Sequence, residues 1–312
     1  MSNLEFRLSQ PSFLILDGAL ATELEKKGAN LNDPLWSAKV LLDQPELIKE
    51  THLQYLKSGA DIISTSTYQA TFQGFSLKGI SKKNATALFQ LSVHLANEAR
   101  DIFTTQAEGK PLPLIAGSIG PYGAFLADGS EYRGDYALDK NALKNFHQER
   151  VAVLIDSGVD MLLFETIPNL TEMQAILELL EESTHCPSII SFSCRDGKLA
   201  DGSSFEEAVW TAAQQCSIYA VGVNCLHPDM VAPLFRRLND KINKPLLAYP
   251  NNGNLWDAHN KCWIGSGQNM EMEQLWPEWI RLGIKIIGGC CNTTPKDIQQ
   301  LANFRENLFQ QA

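Results

Sequence analysis

No stretch of this 312-residue chain approaches the ~20 consecutive apolar residues of a membrane helix. Its longest apolar runs, such as Met161-Leu162-Leu163-Phe164, are strand-sized. The first eleven residues are mixed and polar and lack the apolar core of a secretory signal, so the cytoplasm is the expected location. Runs of lysine or arginine are absent too. With 26 Lys and Arg against 36 Asp and Glu, the net charge is -10, and such a surface repels phosphate backbones; nucleic acid is not expected as a partner. The seven cysteines contain no Cys-x-x-Cys pair. Their odd number, in a long chain without an export signal, argues against a disulfide framework and for reduced thiols or metal ligands. No Gly-x-Gly-x-x-Gly follows the first apolar run, where the turn reads Asp17-Gly18-Ala19-Leu20-Ala21, so a dinucleotide-binding open sheet has no support.

What is present is an alternation. Short apolar runs of strand length occur at 13–17, 61–67, 112–118, 160–165, 188–193, 220–225, 245–250 and 285–290. Between and after them lie stretches with helical spacing of apolar residues, at 45–57, 85–103, 143–155, 170–180, 205–213, 230–238, 275–282 and 295–304. Ser203, Thr171 and Thr294-Pro295 read as helix starts. A small repeat carries the chain from helix to strand: Ser58-Gly59-Ala60-Asp61, Ser157-Gly158-Val159-Asp160 and Leu282-Gly283-Ile284-Lys285, with glycine supplying the left-handed residue of the turn. Eight strand–helix units predict a parallel sheet, and at this length a closed α/β barrel of the (β/α)8 TIM type, one domain over 1–312.

In such a barrel, chemistry gathers at the C-terminal ends of the strands. Those ends bear Asp17, Thr67-Tyr68, Ser118, Glu165-Thr166, Ser193, Asn224-Cys225, Pro250-Asn251 and Cys290-Cys291. Three cysteines and two carboxylates therefore share one rim. Thiolates select zinc among the abundant ions, and three protein ligands leave the open position of a catalytic site. Other readings stand beside this one. Cys225 alone reads as a small buried hydrophobe. Cys290-Cys291 reads as inert thiols or a vicinal disulfide, and Gly288-Gly289 with the helix start after it reads as a phosphate cradle, which would make a metal-free phosphate-binding enzyme. Cys186, Cys194, Cys216 and Cys262 read as packing or loop thiols. Trp36, Tyr68 and Tyr122 offer aromatic faces to a cation or serve as loop anchors. His227 and His259 fall in loops, and the charged segment 128–136 is a candidate cover for the site.

Across the whole chain the rim motifs resemble the homocysteine S-methyltransferases. The carrying stretches are Asp17-Gly18-Ala19-Leu20-Ala21-Thr22-Glu23-Leu24, Glu165-Thr166, Gly222-Val223-Asn224-Cys225 and Gly288-Gly289-Cys290-Cys291. Gly117-Ser118-Ile119-Gly120-Pro121-Tyr122-Gly123, segment 128–136 and Tyr249-Pro250-Asn251 resemble the stand-alone, S-methylmethionine-dependent type, and the chain ends soon after its eighth predicted helix. The resemblance implies one zinc ion on Cys225, Cys290 and Cys291. It implies homocysteine held by Asp17 and Glu165, with Thr166, Trp36, Tyr68 and Asn224 as further substrate-binding positions. The implied donor is S-methylmethionine or S-adenosylmethionine, the product methionine; betaine is the alternative donor.

Overall fold

The computed structural model describes residues 2–107, 109–183, 186–238, 242–253, 255–257, 262–264 and 272–310. Eight strands form one parallel sheet: β1 (Leu14–Ile15), β2 (Ile62–Ser64), β3 (Leu114–Ile119), β4 (Met161–Ile167), β5 (Ser188–Phe192), β6 (Ile218–Asn224), β7 (Leu246–Tyr249) and β8 (Ile284–Ile287). Neighbours in sequence are neighbours in space. β8 pairs with β1 through Leu14↔Ile286 and Ile15↔Ile287, and a parallel bridge Leu16↔Ile62 joins β1 to β2. The sheet is therefore closed, as the alternation predicts, and has no exposed edge.

The helices pack outside. The eight that alternate with the strands are α1 (Pro45–Lys57), α2 (Lys82–Gln106), α3 (Lys140–Asp156), α4 (Leu170–Ser183), α5 (Phe205–Gln214), α6 (Val231–Phe235), α7 (Trp276–Arg281) and α8 (Pro295–Gln310); shorter helices lie in the connections. One core layer lies between strands and helices and includes Ile15, Ile63, Ile115, Leu162, Ile190, Val221 and Ile287. A second fills the barrel with Leu14, Leu16, Ile62, Leu114, Met161, Leu163, Ile189, Leu247 and Ile286. The two sets alternate along each strand, as the two-residue period of a strand requires. A short helix, Asn3–Leu8, adds Leu4 and Leu8 to the inner layer and so plugs the N-terminal end of the barrel.

The repeated helix-to-strand turn is real. Gly59, Gly158 and Gly283 have φ of +102°, +85° and +84°. The aspartate after two of them does a further job: Asp61 accepts the Ile15 amide at 2.8 Å and Asp160 accepts the Ile115 amide at 2.8 Å. Arg7 and Arg305 pair with Asp61, and Arg100 pairs with Asp160, so both carboxylates neutralise cations at the closed end.

Six strands end earlier than the apolar runs suggest, because the chain leaves the ladder there to build the site; β3 and β4 run on to Ile119 and Ile167. Two predicted helix starts shift. Ser204, not Ser203, caps α5, accepting the Glu207 amide at 3.2 Å. Thr171 lies inside α4, where Asn169 accepts the Glu172 amide at 2.8 Å. Thr294 does bond at the start of α8, accepting the Asp297 amide. Among the described residues no helix is long and apolar enough to cross a membrane.

Candidate metal and substrate site

Cys225 follows β6, and Cys290 and Cys291 follow β8; β7 lies between. The sulfurs of Cys225 and Cys291 are 3.6 Å apart, those of Cys290 and Cys291 4.0 Å, and all three lie within 4.8 Å of one another. Zinc–sulfur bonds of about 2.3 Å in a tetrahedron set sulfur–sulfur edges of roughly 3.8 Å, so this triangle fits a metal ion with a fourth position open. Cys225 takes the left-handed φ of +54°, a conformation that costs a non-glycine residue about 1–2 kcal/mol. Cys290, Cys291 and the Tyr132 hydroxyl (3.1 Å) all bond to its sulfur, which holds its pKa well below the ordinary thiol value. The other two thiols are pushed up by that sharing.

The glycines beside these thiols pack; they do not cradle. A Cβ on Gly288 would stand 2.7 Å from the Leu16 Cβ, and one on Gly289 would stand 2.3 Å from the Thr293 hydroxyl oxygen. The amides of Gly288, Gly289 and Cys290 donate to Ala248, Asp17 and Pro250 carbonyls. With those donors spent, the phosphate cradle expected as an alternative is not formed. The vicinal disulfide is not formed either: all three cysteines are free.

The two carboxylates sit in the same mouth. Asp17 is buried; it accepts the Ser64 amide at 2.9 Å and the Ser64 hydroxyl at 3.1 Å. Burial, reinforced by Glu165, pushes its pKa up to about 8. Glu165 accepts a bond from the Ser118 hydroxyl and lies 3.4 Å from the Tyr249 hydroxyl. Burial, reinforced by Cys225, pushes it up to about 7. No cation neutralises either group among the described ion pairs, so the mouth favours a cationic ligand over an anionic one.

Thr166 and Asn224 spend their polar groups on each other. The Thr166 amide and the Ser191 hydroxyl both donate to Asn224 Oδ1 at 2.8 Å, and Asn224 Nδ2 donates to Thr166 Oγ1 at 2.8 Å. With φ +63° at Thr166, this latch fixes the end of β4 where Glu165 emerges. Trp36 meets Tyr68 edge-on with ring centroids 6.1 Å apart. Tyr122 is instead an anchor, clustered with Phe125, Tyr136 and Phe146. His227 caps the short turn Pro228–Met230 through the Asp229 amide. His259 and the Cys262 side chain lie outside the described residues. Cys186 and Cys194 pack against the core, and Cys216 is exposed.

A buried network that the motifs do not announce secures the loop over the site. The Glu172 carboxylate accepts the Tyr122 amide at 2.7 Å, the Tyr136 hydroxyl, and His147 Nε2 at 2.7 Å. Arg150 bridges His147 Nδ1, at 2.7 Å, to the Gly120 carbonyl. Burial and Arg150 push His147 down to about 4, so the ring is neutral and gives its one proton to Glu172. The signal was available: His147 and Arg150 lie four and seven residues after Leu143, on the apolar face of α3, where polar residues need partners. Glu172→Gln should cost about 2–3 kcal/mol in denaturant unfolding, the value of a bond to a charged group. A loss below ~0.5 kcal/mol would contradict the network's role.

The profile of the homocysteine S-methyltransferase family matches residues 14–304. Homocysteine S-methyltransferase YbgG of Bacillus subtilis is 43% identical over 312 residues, covering 99% of each chain. Homocysteine S-methyltransferase 1 of Arabidopsis thaliana is 47% identical over 302 residues, covering 92% of each. The crystal structure of the metallated homocysteine methyltransferase MmuM of Escherichia coli superposes with a TM-score of 0.87 at 41% identity, covering 96% of this chain and 99% of that one. This chain belongs to the homocysteine S-methyltransferase family.

Proposed function

We propose that this chain is an enzyme that moves a methyl group from a sulfonium donor to the thiol of homocysteine, with one zinc ion held by Cys225, Cys290 and Cys291. The observation that carries this reading is the three-thiol triangle at metal-binding distances beside the buried Asp17 and the half-buried Glu165, neither of which is paired with a cation among the described residues. When bound, zinc acidifies a coordinated thiol, so that homocysteine reacts as its thiolate near neutral pH.

The chain's own residues do the positioning. Asp17 and Glu165 hold the homocysteine ammonium, which relieves the cost of keeping two carboxylates in a dry mouth. Thr166 and Asn224 fix the strand ends that carry Glu165 and Cys225. Trp36 and Tyr68 present aromatic surface to the cationic donor. The homocysteine sulfur forms the new bond to the methyl carbon with its own electron pair. The electrons of the old carbon–sulfur bond stay on the donor sulfur, which leaves as a neutral thioether, and the thiol proton passes to solvent. Held in line between the two sulfurs, the methyl group needs no redox cofactor, and orientation is the protein's main contribution.

On this reading residues 1–312 act as one homocysteine-binding barrel domain that supplies methionine in the cytoplasm, where thiols stay reduced. S-methylmethionine is the expected donor and S-adenosylmethionine the second. Methionine formation assayed in parallel with these two and betaine tests the choice. Turnover with S-methylmethionine is expected; turnover with betaine alone would overturn the sulfonium donor while leaving the acceptor reading intact.

A further inference from the structure

Glu131 is a carboxylate of this mouth that the reaction as drawn does not use. It lies in the short turn Ser130–Tyr132, next to the tyrosine that touches the Cys225 sulfur. That turn is held hard against the loop start: a Cβ on Gly123 would stand 2.5 Å from the Glu131 amide nitrogen, so the two backbones are in direct contact. Both ends of the loop are tied to Glu172 through the Tyr122 amide and the Tyr136 hydroxyl. Glu131 is thus carried on a fixed platform. Its Oε2 is buried and has no hydrogen-bond partner among the described residues. A carboxylate oxygen in that position is costly unless a cation or a donor arrives to meet it. Its electrostatic neighbours are the Tyr68 phenol, Cys225, Asp128 and Arg133, and its place beside Tyr132 puts it on the thiol side of the mouth; the Arg133 guanidinium pairs with Asp135 and Asp128 and reaches Glu131 only through its longer-range charge. Burial first, then Cys225 and Asp128, pushes the Glu131 carboxyl up to about 7 against the opposing charge of Arg133.

We infer that Glu131 is the counter-charge for the methyl donor: its unpartnered oxygen meets the positive end of the sulfonium molecule. The inference rests on the sulfonium reading above. Its chemistry separates it from Asp17 and Glu165. Those two face an ammonium that keeps its charge throughout the reaction, whereas the sulfonium loses its charge as the methyl group leaves. An anion beside that sulfur therefore attracts the bound donor more strongly than the transition state. Glu131 should lower the donor KM without raising kcat, and should release the neutral product readily.

The test is steady-state kinetics of Glu131→Gln on the zinc-loaded protein, with S-methylmethionine as donor. The amide keeps the shape and removes the charge. The expected result is a rise of about tenfold to a hundredfold in the donor KM, the scale of one charge-assisted contact. The kcat should be unchanged or higher, and the homocysteine KM and zinc content unchanged. A donor KM within about twofold of the parent, less than any charge contact is worth, would overturn the inference and leave the methyl transfer standing. Equal losses in both KM values with a lower kcat would show a structural role and overturn it too. If the parent protein turns over no sulfonium donor, the donor reading fails first and this inference falls with it.

Discussion

Cys290→Ser loses bound metal and methyl transfer together. Serine keeps the size of the side chain, and it keeps the packing of Gly289 on Thr293, so the fold should survive. What changes is the ligand. A hydroxyl near neutral pH is protonated and hard, and replaces one of three soft thiolates in a triangle with edges of 3.6 and 4.0 Å. Changes one shell further out from a metal already cost about 10–100-fold in affinity or activity, so loss of a direct ligand should exceed about 100-fold in both. Metal analysis and the rate of methionine formation on the same preparation check this. A metal-free Cys290→Ser protein with parental activity would remove the thiol cluster from the reaction.

Glu165→Gln separates capture of homocysteine from metal binding. The glutamine can still bond to Ser118 and Tyr249, so the barrel should hold, but the charge that meets the ammonium is gone. A bond to a charged group is worth about 1.5–3 kcal/mol, which predicts a homocysteine KM raised by about 10–150-fold at unchanged zinc content. The pH dependence follows from burial. With Glu165 pushed up to about 7 and Asp17 to about 8, both are largely protonated at pH 6, and capture of an ammonium needs them ionised. In the parent, kcat/KM for homocysteine should therefore climb from pH 6 to 8.5; in Glu165→Gln the lower part of that climb should flatten.

Linkage gives a second readout. Because the folded pKa lies above the unfolded one, the native state holds the extra proton, and Glu165 weakens the fold progressively as pH rises from about 4 toward 7. Unfolding in denaturant at pH 5 and pH 8 should show Glu165→Gln gaining more stability on the parent at pH 8 than at pH 5. An unchanged homocysteine KM would count against the clamp.

Much of the site could be read along the chain because its parts sit where barrel geometry puts them. Asp17, Glu165, Cys225, Cys290 and Cys291 each close a strand-sized apolar run, and a closed parallel barrel brings such ends together whatever their separation in sequence. The glycine–aspartate turns before β2 and β4 were legible for the same reason, since a left-handed residue must follow the helix. Roles that depend on one partner were not. Asn224 and Thr166 are 58 residues apart, and nothing local says that they bond to each other. Glu172, His147 and Arg150 come from two helices and look like ordinary helix charges until their faces are compared with the core. Gly288-Gly289 read as a phosphate cradle because sequence alone does not say which amides are already spent. The strand runs overestimated the ladder at residues such as Thr65 and Thr67, whose hydroxyls bond to each other at 2.6 Å and tie the end of β2 to Ser118.

The central claim is that three cysteines at the C-terminal mouth of the barrel hold the zinc on which homocysteine reacts. The most direct measurement is the metal content of the reduced, purified chain alongside its rate of methionine formation from homocysteine and S-methylmethionine, before and after chelation and after zinc is returned. About one zinc per chain, with activity lost on removal and restored on return, is the predicted result. Full activity in the metal-free chain would contradict the account.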